Sequence, residues 1–103
     1  MKTKLYRLIA EARIEFDGQY DNLLLHSVPK ANRFRAEIEK GFQAIVAKPN
    51  GFGYVAGSPY RSYGPTKKEK YGIAYLETDD EIIIVAVFYS GSPDPLYWIE
   101  RAF

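Results

Sequence analysis

Two clusters of this chain hold the residue types with the greatest chemical capacity. Arg61, Lys67, Lys68 and Lys70 form a basic group; guanidinium and ammonium ions so grouped grip phosphate, or simply solubilise a hairpin loop. Near the end, Tyr89, Tyr97, Trp98 and Arg101 combine amphipathic rings with a guanidinium. That is the composition of an interface hot spot. The same residues also allow a plainer arrangement, with Trp98 capping the core and Tyr97 flat on a sheet.

Other catalytic patterns are thin. The single histidine, His26, falls at a helix end, without the partners that a metal site or a Ser–His relay needs. Glu77, Asp79, Asp80 and Glu81 lack the glycine and ligand spacing of a calcium loop and read as a solvated turn. Gly51, Gly53 and Gly57 are followed by no Gly-Lys-Ser/Thr and no helix, so they are no phosphate loop. No metal and no cofactor is expected. The absence of cysteine excludes disulfides and thiol catalysis and fits a reducing compartment.

The elements that must position these residues follow from periodicity. Lys4 to Ile9 alternates as a short strand, with Leu5, Arg7 and Ile9 on one face. Ala12, Phe16, Tyr20, Leu23 and Leu24 recur at helical steps, and this helix ends near His26. Ser27-Val28-Pro29 then supplies a capping hydroxyl and a first-turn proline. Ala31, Phe34, Ile38, Phe42 and Ile45 give a second helix to about Lys48, closed by Pro49-Asn50-Gly51. The tight connection makes a helical hairpin. Tyr54-Val55 and Tyr60 to Tyr63 read as edge pieces. Tyr71 to Glu77 reads as a strand with Tyr71, Ile73 and Tyr75 on one face. Thr78-Asp79-Asp80 is a turn.

Ile82 to Phe88 are seven unbroken apolar residues, which cannot all point one way along a strand. That strand is covered on both faces and lies inside a sheet. The order is β-α-α-β-β-β. It predicts a single α+β domain over residues 1–103, an N-terminal strand and helical hairpin packed on a small antiparallel sheet.

Net charge is +1, which gives no global case for wrapping nucleic acid. Residues 1–50 hold nine Lys/Arg against six Asp/Glu, and 51–103 hold five against seven, so a locally basic face is allowed. No signal peptide is readable and no apolar run approaches a membrane span, so a cytoplasmic protein with no membrane contact is expected.

The ordered pieces resemble the ParE/RelE superfamily of bacterial type II toxin–antitoxin systems. Glu11-Ala12, the stretch from Phe16 to Asp21 and Ala31 with Arg33-Phe34 are similar to its helical hairpin, and Pro49-Asn50-Gly51 to the Pro-x-Gly after it. Arg61 and Lys70-Tyr71-Gly72-Ile73-Ala74-Tyr75 resemble its arginine and following strand. Ile84-Val85-Ala86-Val87 and Pro95-Leu96-Tyr97-Trp98-Ile99-Glu100-Arg101 resemble its close. The resemblance covers nearly the whole chain. It implies a small toxin neutralised by a cognate antitoxin, as a homodimer or a heterotetramer with that antitoxin, of the kind that stabilises plasmids.

ParE-like members poison DNA gyrase; RelE-like members cut mRNA on the ribosome. For cleavage, the residues offered are Arg61, Tyr89 and Lys70. At the position of Tyr89 the family commonly has histidine, and Ser90-Gly91-Ser92-Pro93 replaces a pair of arginines, with one extra residue. These departures, with the low net charge, put a gyrase-directed, ParE-like toxin first. A ribosome-dependent endoribonuclease follows, and then a degenerate member that only binds an antitoxin. For target or antitoxin contact the residues are Arg61, Lys67, Lys68, Tyr89, Tyr97, Trp98 and Arg101. The surplus of aromatic side chains also predicts an exposed apolar groove along the hairpin or a sheet edge, filled by an antitoxin segment.

Overall fold

The computed structural model describes residues 4–55, 57–64 and 70–101. Its elements are β1 (Leu5–Leu8), α1 (Ala10–Leu24), α2 (Val28–Ala47), β2 (Arg61–Tyr63), β3 (Tyr71–Glu77) and β4 (Glu81–Tyr89). The second helix starts as its sequence dictates. Ser27 is extended, its hydroxyl accepts from the Lys30 amide at 3.3 Å, and proline stands in the first turn.

The sheet order is β1-β4-β3-β2. β2, β3 and β4 form the antiparallel meander expected, but β1 joins β4 in parallel, with Leu5 opposite Glu81 and Leu8 opposite Ile84. The sheet is therefore mixed. Parallel neighbours need a crossover rather than a hairpin, and here the helical pair and two strands together supply it.

Between β1 and β3, β4 is covered on both faces, and every residue from Ile82 to Phe88 is at most 6% exposed. The helices cover one face: Tyr6 packs on Phe42 with centroids 5.2 Å apart, and Tyr71 on Phe34 at 4.9 Å. Helix α2 lies close because residue 41 is glycine. A Cβ there would stand 2.6 Å from Ile73 Cδ1 and 2.9 Å from the Tyr63 ring. The Tyr75 hydroxyl donates to the Pro49 carbonyl and ties the chain leaving α2 to the sheet.

Residues 90–101 return over the opposite face, where Trp98 packs on Phe88 and Tyr60, each at 5.6 Å. A bulge interrupts the ladder. Ala74 faces Ala86, Tyr75 faces Ile84, and Val85 is left without an opposite number on β3.

Candidate partner-binding surface

Arg61, at the start of β2, directs its guanidinium into the preceding loop. It donates to the Phe52 carbonyl at 2.6 Å and to the Tyr54 hydroxyl at 2.9 Å, and lies 3.9 Å from the Tyr54 ring centroid. Three contacts commit it to holding residues 52–54 in place. Lys67 and Lys68 lie outside the described residues. Lys70 is exposed, and its carbonyl accepts from the Ser90 amide at 2.8 Å.

Tyr89, 42% exposed, ends β4 opposite Tyr71, with ring centroids 5.3 Å apart. Arg61 stands opposite Tyr75. Along β3, Tyr71 and Tyr75 are four residues apart, about 13 Å. The structure thus keeps Arg61 and Tyr89 apart rather than joining them at one phosphate.

The tail departs most from its expected role as a contact surface. Trp98 is 0% exposed, with its indole N–H donating to the Pro95 carbonyl at 2.8 Å. It is a core residue, because two rings and the sheet enclose it. Arg101 is largely buried as well, and its guanidinium donates twice to the Glu15 carboxylate, at 2.8 and 3.0 Å, and once to the Val85 carbonyl at 3.0 Å. Tyr97, 44% exposed, donates its hydroxyl to the same carboxylate, which also accepts from the Val87 amide at 3.1 Å.

Glu15 is thus the hub that sequence reasoning misses. The β1 pairing stops at Ile84, and beyond it the outer edge of β4 presents the Val85 carbonyl and Val87 amide. Glu15 from α1 and Arg101 from the tail satisfy these groups in place of a strand. No local pattern marks Glu15, since its partners are 72, 82 and 86 residues away.

Among the described residues, two grooves lie beside α1. The smaller, about 290 Å³, runs between α1 and the end of β4. Ile14, Gly18, Tyr71, Tyr89 and Tyr97 line it, and Ile14 is 69% exposed. The larger, about 480 Å³, lies between the helices and β1. Its floor is Tyr6, Leu8, Phe16 and Phe42, and its rim is Arg13, Asp17, Asp21, Arg35 and Glu39. The Arg35 guanidinium is held above its ordinary range by a hydrogen bond to Tyr20 and by the Glu39 carboxylate. Away from both grooves, burial pushes the Tyr75 hydroxyl up to about 12, against the opposing pull of Arg61. No described helix is long and apolar enough to cross a membrane.

This arrangement is the ParE/RelE-like fold: a strand and helical hairpin on a sheet closed by an aromatic tail. A chain of a solved structure, the chromosomal ParDE toxin–antitoxin system from P. aeruginosa, superposes with a TM-score of 0.69 over 82% of this chain and 94% of that one. The two are 17% identical, so the likeness is one of fold. No family model and no curated protein matches the sequence.

Proposed function

We propose that this chain is the toxin of a two-protein toxin–antitoxin module, directed at DNA gyrase and held inactive by an antitoxin lying in the grooves beside α1. The fold shared with a chain of a ParDE toxin–antitoxin system carries the reading. The exposed Ile14, Tyr89 and Tyr97 around one groove, and the aromatic floor of the other, support a protein partner.

Ribosome-dependent mRNA cleavage is the weaker reading on this geometry. Such a reaction needs positive charge on the developing phosphorane and groups free to move protons. The Arg61 guanidinium is turned to Phe52 and Tyr54, and the Tyr97 hydroxyl to Glu15. The surface left for a target is the exposed face of Tyr89, Tyr97 and Leu96, with Lys70.

Controlled expression in a bacterial host, with pulse-labelling of DNA and protein synthesis, tests this. DNA synthesis failing first, with rescue by the product of an adjoining reading frame, is the expected result. Protein synthesis failing first points instead to mRNA cleavage. Normal growth makes the chain a degenerate member.

A further inference from the structure

The turn between α1 and α2 carries an apolar surface that lines neither groove. Turns are ordinarily built from glycine, asparagine, aspartate or serine. Here Leu24-Leu25-His26-Ser27-Val28 takes the chain from one helix to the next, with Leu25 82%, Val28 55% and Leu24 37% exposed. One exposed aliphatic side chain is ordinary, but three within five residues make a patch. Its backbone is firmly tied. The Leu25 amide donates to the Asn22 carbonyl at 3.2 Å, and those of His26 and Ser27 donate to the Leu23 carbonyl at 3.0 and 2.8 Å. The Lys30 amide donates to the Ser27 hydroxyl. A turn held in this way presents its side chains to a partner with little further ordering.

The charge around the patch has one sign. From Asn22 to Ala36 the ionisable side chains are His26, Lys30, Arg33 and Arg35, and no carboxylate stands among them. Arg35 is taken by Glu39 at 3.2 Å. Lys30 and Arg33 are exposed and, among the described residues, form no ion pair. Of the flanking carboxylates, Asp21 lines the larger groove and Glu37 lies one turn beyond Arg33 on α2. No residue from 22 to 34 lines either groove, so the turn is a surface apart from both.

We infer that this turn is a contact with the target protein, in which Leu24, Leu25 and Val28 enter an apolar hollow whose rim carries carboxylates for Lys30 and Arg33. An aliphatic centre with a cationic border calls for that complement. It adds a second point of contact to the exposed tyrosines at the end of β4. The identity of the target rests on the gyrase reading. The surface itself follows from the held-out aliphatic side chains and the unpaired cations.

Two variants test it: Leu25→Glu with Val28→Glu at the apolar centre, and Lys30→Gln with Arg33→Gln at the border. Three readouts are compared with the parent: supercoiling by purified DNA gyrase, growth arrest in a bacterial host, and binding of the protein from an adjoining reading frame. Unchanged Trp98 emission shows that each variant is folded. The centre variant is expected to need about tenfold more protein to inhibit gyrase and to arrest growth no longer, while binding the neighbouring protein as the parent does. Added salt is expected to weaken inhibition by the parent more than by the border variant. If both variants inhibit gyrase like the parent, the turn is no target contact and the gyrase reading stands. Should the parent arrest growth without touching gyrase, and the centre variant fail to arrest it, the surface holds and the gyrase reading fails. Loss of the neighbouring protein's binding in the centre variant makes the turn an antitoxin contact and overturns the inference. So does binding of the parent to phosphatidylglycerol vesicles that the centre variant loses while still inhibiting gyrase. A parent that neither inhibits gyrase nor arrests growth overturns both.

Discussion

At the scale of single residues, one carboxylate and one indole decide how the tail is held. Glu15 accepts from Val87, Tyr97 and Arg101. Glu15→Ala leaves a guanidinium and an edge amide short of a partner, and is expected to cost about 2–4 kcal/mol by urea denaturation. Trp98→Ala removes the centre of the packing over β4 and is expected to cost about 3–5 kcal/mol in the same measurement. Tyr75 gives a pH signature. Its hydroxyl ionises near 10 in the unfolded chain and near 12 in the fold, so its contribution is complete below pH 10 and is lost as pH rises towards 12. Stability measured at pH 9 and at pH 11.5 is expected to fall more for the parent than for Tyr75→Phe. A tryptophan beside a tyrosine is composed alike for a core and for an interface, which is why sequence left Trp98 open and burial alone decides it. Glu15 was illegible for another reason: everything it touches is remote in sequence.

At the scale of elements, much was written locally. The Ser27 cap, the stripe of α2, the turn after Glu77 and the apolar run of β4 each follow from short-range chemistry, and each stands where its residues put it. The direction of β1 was not written. A four-residue strand carries no mark distinguishing a parallel from an antiparallel neighbour, and the choice rests on how α1, α2 and the meander bring the chain round. The contact of α2 with β3 depends on one missing methyl. Gly41→Ala would drive a Cβ into Ile73 and Tyr63, and is expected to cost about 1–3 kcal/mol in spite of the better helix propensity of alanine. A lowered urea midpoint with an unchanged slope checks it.

At the scale of the molecule, the chain is closed by contacts between distant segments. Lys4 reaches Glu77 at 3.0 Å, Arg7 reaches Glu81 at 2.8 Å, and Arg101 reaches back to α1. Removing residues 1–8 uncovers the apolar edge of β4, and the product is expected to associate through it, seen as concentration-dependent light scattering. The central strand is also the last to be made. β4 begins at residue 81 of 103, and both its neighbours, the helices over it and the tail beneath it depend on its presence. Until β4 emerges, the helical hairpin lacks the central strand of the sheet it covers and β1 has no neighbour to pair with. The fold therefore closes only once β4 has emerged, which leaves an interval of synthesis in which a second polypeptide meets an unclosed molecule.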